Sequence, residues 1–244
     1  MEEAGVDGPL IVHSISHKFG HSYVMSVLKK FPSKFVCCCL ANPAEDGSGI
    51  KQLKDLVVKD GYRAVRFNPY LWPSGEKLTI LIQNLYYALM TKEIGKALFS
   101  KAGDLGVPVG YKCMKYPSTV VLLGHLAFCK PPKDDEERQG FSELLKLSRF
   151  PKVYVKFSAL FRVSRNPYLY EDLSQVLAQI VSSYGAHCVI DDFPFVVAEC
   201  GYKEAREAIC YLAKQGYLPS SATEWIMGKT IMQLFEGKWG SVAN

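Results

Sequence analysis

The stretch Gly61-Tyr-Arg-Ala-Val-Arg-Phe-Asn-Pro69 decides how the rest of the chain is read. Within it, Ala64 to Asn68 reads as a strand in which Arg66 and Asn68 alternate with Val65 and Phe67. Successive strand side chains point to opposite faces, so Arg66 and Asn68 share one face near the strand's carboxyl end. Just upstream, Gly49 to Lys59 carries apolar residues at three- and four-residue spacing, the period of a half-buried helix. A helix feeding a strand is one repeat of a βαβ chain.

Working outward, the same alternation continues in both directions. Strand windows lie at Leu10 to Ile15, Phe35 to Ala41, Val107 to Cys113, Val120 to His125, Val153 to Ala159 and Cys188 to Asp192. They are rich in Val, Leu, Ile and Phe, as strands covered on both faces should be. Helical spacing recurs at Ser22 to Phe31, Gln139 to Leu147, Tyr170 to Tyr184 and Tyr202 to Lys214. Ser221-Ala-Thr-Glu224 predicts a capping box for a closing helix that carries Trp225, Ile226, Ile231 and Leu234. With no convincing linker, residues 1–244 are expected to form a single domain.

Two places interrupt the pattern. Only Met114 to Thr119 separate the windows ending at Cys113 and starting at Val120. Parallel neighbours need a crossover of at least roughly 10–12 residues, so these two strands are not expected to pair as ordinary parallel neighbours. The apolar stretch Ile80 to Thr91 either lengthens the helix ending near Gly103 or forms an insertion.

Bulk properties narrow the function classes. The 244 residues carry a net charge of +5 with a pI near 8.7, and no run of five basic residues occurs. That pattern argues against a nucleic-acid footprint and for weak attraction to anions. No stretch approaches the roughly 20 apolar residues needed to span a bilayer, and the acidic start shows no secretory pattern. The expectation is an intracellular, cytoplasmic protein without membrane partners. The eight cysteines include Cys37-Cys38-Cys39 and no CxxC spacing. Free buried thiols are expected, because three consecutive strand residues cannot present three ligands to one metal.

The segments Cys39-Leu-Ala-Asn-Pro43, Gly61 to Pro69, His125-Leu-Ala-Phe128, Val153-Tyr-Val-Lys-Phe-Ser-Ala-Leu160 and Asp192-Phe-Pro194 occur in order along nearly the whole chain. Together they resemble the amidohydrolase-related family, the branch of barrel hydrolases that includes sugar-lactone and pyrone-dicarboxylate lactonases. The resemblance implies an α/β fold of the (β/α)8 TIM-barrel type, with its site at the carboxyl ends of the strands. In that register the first strand is absent, Met1 to Gly8 matches the end of the first helix, and Gly5 suits its C-cap. The family's His-x-His pair, which binds a divalent metal such as zinc, has no counterpart here. The metal ligands are therefore incomplete, with His125 and Asp192 as the remaining candidates.

The resemblance also implies site residues. Asp192 matches the carboxylate that ends the last strand and serves as base for an attacking water; without the resemblance it reads as a turn cap before Phe193-Pro194. Asp191 is its neighbour on the opposite face. His125 matches a site histidine that polarises a carbonyl or touches a metal, although Gly124 stands where the family often has aspartate. Arg66 suits a substrate carboxylate or developing oxyanion, since its planar fork matches oxygen pairs; the competing reading is an exterior ion pair with a helix. Asn68 is grouped with it. Lys156 and Ser158 share a face, Arg162 follows, and all three stand as neighbours of a substrate.

His13, His17 and His21 recur every four residues, which on one helix would make a metal-binding face. Gly20 and the strand ending at His13 argue against a common helix. No Gly-x-Ser-x-Gly elbow, P-loop or dinucleotide fingerprint occurs. Three readings follow: a hydrolase of a lactone or other cyclic ester or amide; an inactive family remnant acting as a binding protein and self-associating through open strand edges; and an anion-binding module. The expected partner of the first is a small molecule.

Overall fold

The computed structural model describes residues 3, 5–6, 8–68, 71, 93–110, 119–192 and 201–237. The strands among them are β1 (Leu10–Val12), β2 (Val36–Leu40), β3 (Ala64–Arg66), β4 (Val109–Gly110), β5 (Val121–Leu123), β6 (Val153–Ser158) and β7 (Val189–Asp192). They form one seven-stranded sheet whose spatial order is the chain order, β1 through β7. The pairs β1/β2, β2/β3, β3/β4, β4/β5 and β6/β7 are parallel. Each lies inside a window expected from the sequence. Sequential parallel neighbours joined by helices are the (β/α)8 pattern, here with seven strands where a full barrel has eight.

The intervening helices are α1 (Ser22–Lys30), α2 (Ser48–Val58), α3 (Glu93–Asp104), α4 (Asp135–Lys146), α5 (Ser174–Tyr184) and α6 (Tyr202–Gln215). Backbone packing divides the chain into two compact units: Gly8–Val121 with Phe235–Asn244, and Met1–Asp7 with Leu122–Leu234.

In the first unit, β2 is buried at all five positions, which explains its uninterrupted apolar run. Cys37, Cys38 and Cys39 are free and buried there. Burial pushes the Cys37 thiol up to about 12 and raises Cys39 as well, so both remain protonated, inert core groups. Val65 and Val109 are registered partners across β3 and β4, and neither is exposed. Gly49 lets α2 start close to the preceding loop: a Cβ there would fall 2.0 Å from the Asn42 carbonyl oxygen.

The expectation that the strands flanking Met114 to Thr119 could not be parallel neighbours is wrong. Val109 and Val121 are parallel partners, and the Val109 N–H donates to the Val120 carbonyl at 2.8 Å. The described part of β4 ends at Gly110, and its pairing with Val121 shows that the connection between them accommodates a parallel crossover. Residues 111–118 themselves, and the apolar stretch Ile80 to Thr91, lie outside the described residues.

In the second unit, α4 begins with the side-chain cap that the sequence suggested elsewhere. Asp134 Oδ1 accepts the Glu137 N–H at 2.8 Å, while Glu137 Oε2 accepts the Lys133 N–H at 2.8 Å. This reciprocal arrangement satisfies donors that the helix start leaves orphaned. Ser221 forms no such box: the closing segment is capped by Pro219, and its first residue is Ser220. Ser221 therefore lies one residue inside the helix. A π turn, Trp225–Lys229, then leads into Thr230–Leu234. Gly5 has φ of +64°, as a helix C-cap requires, and a Cβ there would fall 2.2 Å from Arg206 Nη1. Residues 1, 2, 4 and 7 lie outside the described residues.

Candidate active site

Strand ends concentrate the unusual backbone of the second unit. After β5, His125, Leu126, Ala127 and Phe128 have φ of 52°, 56°, 51° and 61°, a left-handed turn built without glycine. After β6, Ala159 is left-handed too, with φ of 48°. Each such residue costs about 1–2 kcal/mol relative to a right-handed conformation. One net hydrogen bond contributes only about 0.5–1.5 kcal/mol, so hydrogen bonding alone does not hold the turn. Burial does more: Leu123 and Leu126 are at most 1 % exposed, and each fully buried leucine contributes about 1.5–3 kcal/mol.

The turn brings the His125 imidazole to β6. His125 Nδ1 lies 2.7 Å from Ser158 Oγ, and Ser158 is 1 % exposed. The Phe128 ring meets the imidazole edge-on, with centroids 5.4 Å apart. Ser158 stands opposite Asp192 in the β6/β7 register, and Phe157 stands opposite Asp191. At the backbone level Asp192 shares its ladder position with the serine that touches His125, and Asp191 shares its position with Phe157. The Asp192 side chain lies outside the described residues, as does Phe193-Pro194.

The remaining candidates in this unit are less convergent. Lys156 is half-buried and sits one ladder position before Phe157, opposite Ile190. Arg162 is exposed in the helical turn Leu160–Val163, with its guanidinium 5.6 Å over the Phe161 ring.

In the other unit, Arg66 ends β3 opposite Leu40 and Gly110 and is half-buried. Among the described residues it makes no ion pair, which removes the exterior salt bridge as its explanation there. Asn68 is buried just beyond it.

The three spaced histidines do meet, without sharing a helix. His13 follows β1, His17 lies in the 3-10 turn Ile15–His17, and His21 precedes α1. The His13 and His21 rings stack at 4.2 Å. His21 Nε2 accepts the Leu40 N–H at 3.1 Å, so its Nδ1 carries the proton donated to the Phe19 carbonyl at 2.9 Å. Burial, assisted by neighbouring His13, lowers the His21 pKa to about 4 and keeps the ring neutral. His13 Nε2 faces the Lys18 carbonyl at 3.0 Å, and burial lowers its pKa as well. A groove of about 460 Å³ lined by Met25, Lys51, Gln52 and Asp55 includes His21 and none of the sequence-predicted site residues.

These contacts bear on the spaced histidines as a metal-binding face, although His13 Nδ1 is buried without a hydrogen-bonding partner among the described residues. Stacked rings do not converge on an ion, and both His21 nitrogens are committed to the backbone. Among the described residues no group of three His, Cys, Asp or Glu side chains is arranged to hold one. The described donor set does not fit a zinc centre, and no step is derived through one. No described helix is long and apolar enough to cross a membrane.

Local sequence could not have revealed the Leu126–Phe128 backbone or the His125–Ser158 contact. The first uses no glycine or asparagine, the usual residues of left-handed turns. The second joins residues on different strands.

No family model matches this chain, and no curated protein matches it. Solved structures do. A protein of Pseudomonas putida assigned as a 2-pyrone-4,6-dicarboxylic acid hydrolase aligns over 97% of this chain and 84% of its own, at 19% identity and a TM-score of 0.71. An amidohydrolase of Burkholderia multivorans with bound zinc covers 96% of this chain and 85% of its own, at 12% identity and a TM-score of 0.73. A 5-carboxyvanillate decarboxylase of Sphingomonas paucimobilis covers 96% and 80%, at 10% identity and a TM-score of 0.64. The strand order, the helical crossovers and these likenesses agree: the chain has a TIM-barrel-type fold like that of these solved structures, with seven described strands.

Proposed function

We propose that this chain is a hydrolase that opens a lactone or another cyclic ester or amide by base-assisted attack of water. The observation that carries the reading is the contact between His125 Nδ1 and Ser158 Oγ at 2.7 Å, at the carboxyl ends of adjacent strands and in register with Asp192. Carboxyl strand ends are where this fold class does its chemistry. Strained backbone that surrounding packing must hold in place also clusters at active sites.

In this reading Asp192 takes a proton from water as the oxygen attacks the carbonyl carbon. The His125 imidazole donates a hydrogen bond to the carbonyl oxygen, which gains negative charge in the transition state. The ring C–O or C–N bond then breaks, and Asp192 returns the proton to the departing oxygen or nitrogen. Lys156 and Ser158 border this site from β6, with Arg162 beyond them. Arg66 and Asn68 belong to the other unit and are proposed, within it, as residues that recognise an anion. The likeness to a structure assigned as a pyrone-dicarboxylic acid hydrolase supports a carboxylated lactone as the first substrate class to test.

The test is hydrolysis of a small panel of carboxylated and neutral lactones by the purified chain and by Asp192→Asn. Loss of a positioned acid–base group costs roughly 10²–10⁴-fold in rate. The expected result is measurable turnover that Asp192→Asn lowers by that factor while the circular dichroism spectrum and urea midpoint stay unchanged. Equal activity in the variant, or no turnover of any lactone, overturns the reading in favour of a non-catalytic binding protein. Such a protein would self-associate through β1 and β7, the end strands of the sheet order.

A further inference from the structure

Ser158 is enclosed, and its hydroxyl has a single hydrogen-bonding partner among the described residues, His125 Nδ1 at 2.7 Å. A hydroxyl can donate one hydrogen and accept others, whereas a neutral imidazole has one N–H and one bare nitrogen. Two arrangements therefore compete. If Nδ1 carried the proton and donated to Ser158, the serine hydrogen would be left buried with no acceptor among the described residues. Leaving a buried donor unmade costs about 1–3 kcal/mol, more than the hydrogen bond itself contributes. If Ser158 donates to a bare Nδ1, no donor of the pair is orphaned on that side, and the imidazole proton is forced onto Nε2.

We infer that Ser158 is a positioning residue that fixes His125 as the neutral Nε2–H tautomer. The described geometry adds to this: the left-handed turn from His125 to Phe128 sets the ring against β6, and Phe128 blocks one edge with its ring centroid 5.4 Å away. The direction matters for chemistry. An Nε2–H is a hydrogen-bond donor, suited to a carbonyl oxygen that gains charge, and it is not available as a lone-pair ligand for a metal or as a base. The histidines of the other unit show how differently the same ring is set. His21 is held by main-chain groups with its proton on Nδ1, the opposite tautomer.

The inference rests on the hydrolase reading for the role of the Nε2–H, but not for the tautomer itself. The experiment exploits this. The full chain is labelled with ¹⁵N-histidine, and its five histidines are observed by long-range ¹H–¹⁵N correlation between pH 5 and 9, with His125→Gln giving the assignment. The wild type is expected to show a protonated Nε2 and a bare Nδ1 at His125. A hydroxyl donated to the bare nitrogen favours the neutral ring, so Ser158→Ala should raise the His125 titration midpoint by roughly 0.5–1 pH unit. Ser158→Thr, which keeps the hydroxyl, should restore it. If turnover is found, the acid limb of kcat/KM should move with that midpoint. A protonated Nδ1 in the wild type, or an unmoved or lowered midpoint in Ser158→Ala, overturns the inference. Should the alanine variant not fold, the wild-type tautomer alone decides. An absence of lactonase activity with the expected tautomer would count against the hydrolase reading only.

Discussion

Two groups of histidines in this protein are held by opposite strategies. Around His13 and His21 the backbone supplies the partners: Lys18, Phe19 and Leu40 main-chain groups bind the rings, and one ring stacks on the other. Around His125 the backbone is itself in an unfavourable conformation, and the partner is a buried side-chain hydroxyl. The first arrangement satisfies three of the four ring nitrogens through the main chain, which removes desolvation penalties, and leaves His13 Nδ1 buried without a partner among the described residues. The second keeps a ring at a strand end at the expense of local strain. The comparison teaches that burial of a histidine says little about its purpose, whereas who satisfies its nitrogens says a good deal.

Several measurements break or sharpen the contrast. The largest effect is expected at Leu126, which is fully buried and belongs to the left-handed turn. Leu126→Ala should lower stability by about 2–5 kcal/mol in urea unfolding, because packing is what holds the turn. A loss below about 1 kcal/mol would mean that the strain is carried elsewhere.

Next in size is the pH dependence of the histidine stack. The folded His21 pKa, near 4, lies below the unfolded value of about 6.5. Between those values the unfolded chain binds the proton and the folded chain does not. Stability should therefore be constant above about pH 6.5, fall as the pH drops toward 4, and level off below. The loss from His21 amounts to at most about 3 kcal/mol, and the shift at His13 acts in the same direction. A slope between pH 4 and 6.5 that is shallower in His21→Gln than in the wild type, with the remainder owed to His13, would assign the effect. An identical slope in both would remove it.

The smallest effect is expected at Ala127, whose φ is 51°. Glycine tolerates that conformation without the left-handed penalty but loses more freedom on folding. Ala127→Gly should stabilise the protein by up to about 1 kcal/mol. Destabilisation would show that the turn is not strained, and the contrast between the two histidine groups would lose its basis.

Much of this architecture was legible in the residues, and the reasons are local. Buried strands such as Val36–Leu40 write themselves as unbroken apolar runs, and α1 and α2 carry the helical period. The failures occur where a boundary matters. Val107 to Cys113 and Val120 to His125 read as strands too close in sequence for a parallel crossover, yet Val109 and Val121 pair in parallel, a tertiary outcome that segment spacing does not encode. Ser221 reads as a cap because a capping box is a four-residue pattern, while the true start depends on Pro219 two residues earlier, whose extended backbone sets the entry. At the candidate site, His125 and Asp192 are legible through resemblance, while Ser158 shares a face with Lys156 by strand alternation. Their juxtaposition is tertiary, and no period in the sequence encodes a contact between strand ends.

The contact between Gly5 and Arg206 also bears on how the protein is made. Gly5 belongs to the same compact unit as Leu122–Leu234, and its missing side chain leaves room for a guanidinium from α6. At synthesis rates of about 5–20 residues per second, roughly 10–40 s separate the emergence of these two partners from the ribosome. All of Gly8–Val121 is translated in the interval. The Gly8–Val121 part of the other unit can therefore collapse first, while the amino-terminal segment waits, undocked, for a helix that has yet to be synthesised. A chain arrested before residue 206 should leave this segment open to protease, and release of the full chain should close it.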